Sequence, residues 1–259
     1  MNETLNICLL QCKLYWEDSL KNRTQIQTYL EEVIAADIIL LPELFSTGFS
    51  VASTHLAETM DGETLAWMKT VSEEKKVVLC GSVMIEHKGH VFNRLLWVEP
   101  NGRVLHYDKR HLFSLIEEDK HFTAGTERLM VEYEGWKICP MICYDLRFPV
   151  FARNDEDYDL LLFVANWPNT RIAAWDALLK ARAIENQAYV IGLNRVGTDE
   201  FNTEYPGHSQ FLDPNGDCIS MAPEYEVGLI EVTLSKNYLL EFRKRYPFLS
   251  DRDTFRITD

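Results

Sequence analysis

Three side chains in this sequence form a chemical set: a thiol, a carboxylate and an ammonium, each closing a short apolar run. Cys143 ends the run at residues 135–142 and opens the polar turn Cys143-Tyr-Asp-Leu-Arg-Phe-Pro149. Glu43 follows Leu40-Leu-Pro42, and Lys109 closes Val104-Leu-His-Tyr-Asp108. An ordinary thiol titrates near about 8.5, so at neutral pH it needs a base before it can attack a carbon. Glu43 can take that proton if an enclosed pocket raises its affinity for protons. Lys109 and the backbone N–H of Tyr144 can stabilise the oxyanion of a tetrahedral intermediate, one such donor contributing roughly 3 kcal/mol. Each residue also has an ordinary reading. A buried cysteine usually fills core space, a Glu after a strand is usually a cap or solvated, and Lys109 beside Arg110 and His111 reads as surface.

The flanking pattern predicts how these residues are held. Strands are expected at 5–14, 37–42, 77–85, 90–98, 102–107, 129–133, 136–142, 159–165, 189–194, 207–212 and 227–232. Helices are expected at 18–36, 62–75, 171–187 and 235–245, with a short helix after Cys143 and an extended tail. Asp18 or Ser19 is the expected N-cap of the first helix. Ile26, Leu30, Val33 and Ile34 form its apolar stripe, as Trp175, Leu178, Leu179, Ala181 and Ile184 do at 171–187. Residues 109–127 read as a charged loop. Pro100-Asn-Gly102 and Glu134-Gly135 mark hairpins, and Asp213-Pro-Asn-Gly216 marks a further turn. Fully apolar strands joined by helices belong to parallel βαβ units, whereas the hairpins are antiparallel. The expectation is one α/β domain over residues 1–259, built on a mixed sheet or on two sheets packed face to face with helices outside. Ligands collect beyond the carboxyl ends of such strands, where all three chemical residues fall.

Composition narrows the function. The chain has 259 residues, 46% hydrophobic and 25% charged, with a formal net charge of -14. An acidic surface without a basic run disfavours nucleic acid and anionic membranes. No apolar run approaches the ~20 residues of a membrane span, and no secretory leader is visible, so the expected location is the cytoplasm. The Cys-x3-Cys pairs Cys8/Cys12 and Cys139/Cys143 invite disulfide or zinc readings. In extended chain they stand about 13 Å apart, beyond the reach of a disulfide or a shared metal. Six reduced thiols are expected.

Leu41-Pro-Glu43-Leu-Phe, Tyr107-Asp-Lys109-Arg-His-Leu-Phe113 and Ile142-Cys143-Tyr-Asp-Leu-Arg-Phe148 resemble, in order, the three signature segments of the nitrilase, or carbon–nitrogen hydrolase, superfamily. Asn166-Trp-Pro168, Ala181-Arg-Ala-Ile-Glu-Asn186 and Gly207-His-Ser209 leading to Asp213-Pro-Asn-Gly216 are similar to its later blocks, so the resemblance spans nearly the whole chain. It implies a four-layer α-β-β-α sandwich of two mixed β-sheets flanked by helices, with Cys143 as nucleophile, Glu43 as base and Lys109 as stabiliser. It implies a second glutamate between the Lys and Cys segments, for which Glu118 fits best and Glu117 is adjacent. It also implies at least a homodimer, and neither metal nor cofactor. The Cys143 and Lys109 segments look most like bacterial omega-amidases, which hydrolyse the terminal amide of 2-oxoglutaramate or 2-oxosuccinamate. An oxoacid end needs a cationic anchor; Arg147 and Arg195 are the candidates, with Trp167 as a pocket wall. The alternatives are another amidase or nitrilase of the superfamily, a thiol hydrolase pairing Cys143 with a histidine, and a non-catalytic scaffold on the same fold.

Overall fold

Side-chain alternation along the strands decides the layers in the computed structural model, which describes residues 3–258. In strand β1 (Thr4–Gln11), Leu5, Ile7 and Leu9 enter one apolar core while Cys8 and Leu10 enter another. Strands β2 (Ile38–Leu40) and β3 (Val78–His87) divide in the same way: Ile38, Leu40, Val78 and Cys80 face the first core, Ile39 and Leu79 the second. Successive residues of a strand point to opposite faces, so a sheet that is apolar on both must be covered twice. On one side helices α1 (Ser19–Glu31) and α2 (Glu63–Lys75) supply Ile26, Leu30, Leu65, Met68 and Val71. On the other lies a second sheet.

The first sheet has the order β14-β1-β2-β3-β4-β5. Its centre β1-β2-β3 is parallel; β4 (His90–Val98), β5 (Val104–Asp108) and β14 (Gly228–Ser235) are antiparallel to their neighbours. The second sheet, β13-β12-β9-β8-β7-β6, repeats the plan. Strands β7 (Trp136–Ile142), β8 (Leu160–Ala165) and β9 (Tyr189–Asn194) are parallel, and β6 (Val131–Tyr133), β12 (Gln210–Leu212) and β13 (Cys218–Met221) are antiparallel additions. Helix α4 (Ile172–Asn186) covers this sheet with Trp175, Leu179 and Ala183. Gly192 of β9 permits that approach: a Cβ there would lie 2.4 Å from Leu179 Cδ1. The architecture is the expected four-layer α-β-β-α sandwich.

Some boundaries differ from the pattern. Strand β1 stops at Gln11, so Cys12 lies beyond it. Asp18 is the N-cap of α1, its carboxylate accepting the Lys21 N–H, but the helix ends at Glu31 and Ile34 is almost fully exposed. Ile184 likewise faces outward from α4. The strand expected at 207–212 is shortened to β12, which starts at Gln210, and just before it β11 (Glu204–Pro206) pairs with β10 (Val196–Thr198) in a separate hairpin. The loop at 109–127 contains a short helix, α3 (Glu118–His121), and α5 (Lys236–Arg245) closes the chain's last covered layer with Leu239. All six cysteines are free. Among the described residues no helix is long and apolar enough to cross a membrane.

Candidate active site

Three strand ends bring the chemical residues together. After β2 the chain is pinned to β3: the Leu44 N–H donates to Ser82 Oγ at 2.8 Å and the Phe45 N–H to the Ser82 carbonyl at 3.1 Å. This leaves Glu43 fully buried. At the end of β5 the Lys109 N–H donates to Asn93 O and its carbonyl accepts from Gly125 N, both at 3.0 Å. Gly125 must lack a side chain, because a Cβ would lie 2.1 Å from Asp108 O. Past β7, Cys143 adopts φ +42° and starts a single 3-10 turn, Cys143–Arg147. A non-glycine residue in the left-handed region costs about 1–3 kcal/mol, so other contacts must impose that bend.

Asp145 imposes it. One carboxylate oxygen accepts the Tyr107 hydroxyl at 2.8 Å and the Ile142 N–H at 3.0 Å. The other accepts the His111 N–H at 3.1 Å and meets His111 Nδ1 at 2.8 Å. The His111 ring stacks on Phe148, with centroids 3.6 Å apart and planes 6° apart. Asp145 therefore staples the cysteine turn to the segment that carries Lys109.

Lys109 Nζ lies between two buried carboxylates, donating to Glu43 Oε1 at 2.9 Å and to both Glu118 oxygens at 3.0 and 2.9 Å. Asn93 Nδ2 bridges the same two glutamates, at 2.9 Å to Glu43 and 3.3 Å to Glu118. From the second sheet, the Asn166 N–H donates to Glu43 Oε2 at 2.8 Å and its Nδ2 to the Glu43 carbonyl at 2.8 Å. Glu43 thus has both oxygens supplied with donors and is held rigidly where the two sheets meet. Glu118 also accepts the Phe113 N–H at 2.6 Å. The adjacent Glu117 instead pairs with Lys120 at the surface, so the glutamate of the cluster is Glu118.

Burial and charge oppose each other within the cluster. Burial alone would lower the Lys109 ammonium, but Glu118 and Glu43 outweigh it and hold the group above the usual lysine range, hence charged. Burial raises the Glu118 carboxyl, opposed by Lys109 and reinforced by Glu43. Burial, then Glu43, push the Cys143 thiol well above the ordinary value, with Lys109 opposing. A neutral thiol next to a carboxylate favours proton transfer during attack over a standing thiolate. The charged groups that act most strongly on the thiol are Glu43, Lys109 and Glu118. Among the described residues no three His, Cys, Asp or Glu side chains are placed to hold a metal ion.

Cys143, Lys109 and Tyr144 line a cavity of about 940 Å³ that continues past Trp167 and Arg147. The Tyr144 N–H lies in the first turn after Cys143, where helical N–H groups lack an intrahelical acceptor. Trp167 is clamped by Asn194 through its backbone N–H, at 2.7 Å, and its indole N–H donates to Arg171 O at 2.8 Å. Arg147 lies 4.9 Å from the Trp167 ring centroid. Arg195 lies elsewhere than the sequence suggests. It is buried off the cavity wall, donating to the Val196 and Leu14 carbonyls and stacking on Tyr205. Asp199, which lines the cavity, accepts the Tyr205 hydroxyl at 2.9 Å and makes no ion pair with Arg195 among the described residues. Asn93, Asp145, His111 and Arg171 were not read as site residues. Asn93 left little trace, lying beside Arg94 in the strand at 90–98, and Asp145 and His111 sat inside motifs without an evident task.

A carboxylate–ammonium–thiol cluster beneath a cavity, built on two facing mixed sheets, defines a cysteine-dependent hydrolase of carbon–nitrogen bonds. Residues 6–244 match the family described as Carbon-nitrogen hydrolase, and the chain belongs to that family. It is 44% identical over 253 residues to "Omega-amidase YafV" of Escherichia coli (strain K12), covering 98% of each chain. It is 32% identical over 251 residues to "2-oxoglutaramate amidase" of Bacillus subtilis (strain 168), covering 95% of this chain and 96% of the other. Among solved structures, XC1258 from Xanthomonas campestris, a CN-hydrolase superfamily protein with an arsenic adduct in the active site, superposes with a TM-score of 0.97 and 42% identity. That match covers 99% of this chain and 100% of the other.

Proposed function

We propose that this chain is an omega-amidase that hydrolyses the terminal amide of 2-oxoglutaramate or 2-oxosuccinamate through a thioester on Cys143. One observation carries the reading. The Cys143 thiol and the Arg147 guanidinium, which has no ion-pair partner among the described residues, line one cavity over the buried Glu43–Lys109–Glu118 cluster. A thiol at one point and an unpaired cation at another suit an acyl amide whose far end is an anion. The names of the two curated relatives support the same substrate class.

The steps follow from the geometry. Glu43 takes the thiol proton as sulfur bonds to the amide carbon. The developing oxyanion accepts hydrogen bonds from Lys109 Nζ and the Tyr144 N–H. The C–N bond then breaks, with Glu43 returning its proton to nitrogen, and ammonia leaves. Water attacks the thioester with Glu43 again as base; the sulfur departs, regains a proton and releases the 2-oxo dicarboxylate. Glu118 keeps Lys109 charged and in place. In the same reading the chain acts as a homodimer or higher homo-oligomer through helices near the nucleophile, where Val150, beside the cysteine segment, and Ile184, on α4, are exposed.

The test is ammonia release by the purified protein from oxoacid amides, glutamine, asparagine and nitriles, with mass spectrometry of Cys143. The expected outcome is turnover of 2-oxoglutaramate or 2-oxosuccinamate and an acyl adduct absent in Cys143→Ala. Turnover of nitriles alone would favour a nitrilase, and no adduct with any amide would favour a scaffold.

A further inference from the structure

Two guanidinium groups line the Cys143 cavity, Arg147 and Arg171. Among the described residues neither makes an ion pair or a side-chain hydrogen bond; each stacks on an aromatic ring, Arg147 on Trp167 at 4.9 Å and Arg171 on Phe113 at 5.0 Å. In a chain with 40 acidic and 26 basic residues, carboxylate partners are abundant, and other arginines such as Arg94 and Arg182 have them. Two arginines left unpaired in the cavity that holds the nucleophile therefore call for an anionic or electron-rich occupant.

Arg171 is also held in position. Its N–H donates to Pro168 O at 3.0 Å, its carbonyl accepts the Trp167 indole N–H, and it precedes α4. Phe113, beneath its guanidinium, is fixed in turn by the N–H bond to Glu118. Both guanidiniums thus lie over rings of the site, and no described residue accepts from their N–H groups, which suits them to a ligand's acceptors.

The head of a 2-oxo acid presents three acceptors: two carboxylate oxygens and the ketone oxygen. One guanidinium satisfies the carboxylate pair with parallel hydrogen bonds. The ketone oxygen then needs a donor of its own, because an acceptor buried without one is unfavourable. A 2-amino acid places an ammonium at that point, which carries only donors and the same charge as a guanidinium. Of the carboxylates lining the cavity, Glu17 is engaged by the Ser50 and Ser53 hydroxyls, Glu117 by Lys120, and Asp199 by two backbone N–H groups and the Tyr205 hydroxyl, while Glu204 is exposed, where solvent screens its charge. Resting on the omega-amidase reading, we propose that Arg171 is a specificity-determining residue that donates to the 2-oxo oxygen, so that the Arg147/Arg171 pair selects 2-oxo amides over 2-amino amides.

The test compares kcat/KM of wild type, Arg171→Met and Arg171→Lys on three amides of one length: 2-oxoglutaramate, glutaramate without a 2-substituent, and glutamine. Loss of one charged hydrogen bond should lower the Arg171→Met value on 2-oxoglutaramate roughly 10- to 100-fold. Glutaramate turnover should change little, the preference over glutamine should shrink, and Arg171→Lys should restore part of it. An equal loss on all three amides would mean that Arg171 only supports the wall, and unchanged selectivity would equally overturn its role. Wild-type protein inactive on 2-oxoglutaramate would sink the omega-amidase reading and this proposal together, whereas an active wild type with unaltered Arg171→Met selectivity would sink the Arg171 role alone.

Discussion

Glu43 and Cys143 influence each other in opposite ways at the scale of single residues. The carboxylate is the proposed acceptor of the thiol proton, yet its charge also raises the thiol's affinity for that proton. Glu43→Gln separates the two effects. Turnover measured as ammonia release should fall by about 10²- to 10⁴-fold, the contribution of a positioned general base. The Cys143 thiol should nevertheless ionise at lower pH than in wild type, because a nearby negative charge has gone. Alkylation of Cys143 followed by mass spectrometry across pH reads this directly. A thiol that ionises at higher pH in the variant would contradict the placement of Glu43 beside it. A Cys–His mechanism makes the opposite prediction, with His111 or His208 substitutions abolishing activity and Glu43→Gln leaving it.

The elements act on the site through backbone contacts. Gly125 touches no proposed substrate atom, but its backbone passes against Asp108 and bonds the Lys109 carbonyl. In Gly125→Ala the new Cβ would meet a carbonyl oxygen that cannot rotate away, so the segment must shift and move the ammonium. The expected result is a fall of at least about tenfold in kcat, since small displacements of a positioned group have large effects on rate. Asp145 joins the ends of β5 and β7 in a comparable way. Asp145→Ala strips acceptors from the Tyr107 hydroxyl, the Ile142 N–H and His111, at about 1–3 kcal/mol for each buried group left unpaired. Urea unfolding should therefore show a loss of order 3 kcal/mol. A loss below 1 kcal/mol would mean that other contacts hold the cysteine turn.

At the scale of the whole molecule, dry cores impose an alkaline limit. Burial is the first cause that pushes the Cys8, Cys12 and Cys139 thiols from 9.0 up to about 12. The folded protein retains these protons where the unfolded chain has released them. The resulting stability is present below about pH 9 and is lost as pH rises from 9 to 12. The thermal midpoint should decline across that window, and Cys139→Ala should flatten the decline whatever it does to the midpoint at neutral pH. The proposed subunit contact belongs to the same scale. Ile184 faces solvent on a helix otherwise packed by Trp175, Leu179 and Ala183. Ile184→Glu should shift the sedimentation coefficient towards that of a single chain, and an unchanged value would remove α4 from the interface.

Periodicity carried the strands and helices, because which face of an element is apolar is written residue by residue, but it left one mixed sheet or two facing sheets open; the family-like segments implied two. The strand-end positions of Glu43, Lys109 and Cys143 were legible for the same reason. Helix and strand limits at Ile34, Cys12 and 207–212 were less so, since burial by distant segments decides where a locally permissible element stops. Glu118 over Glu117 depended on a left-handed residue at 117 that turns one carboxylate inward and the other outward. Arg147 and Arg195 look equivalent as sequence, each an arginine near an acid, but one stacks on Trp167 at the cavity wall and the other is sealed behind Tyr205. The amino-acid sequence by itself determined, through local pattern, the apolar strands and the thiol, carboxylate and ammonium that close three of them. Only the tertiary structure decided which charges meet, because Asn93, Asn166, Asp145 and Arg171 reach the site from strands and loops far apart in the chain.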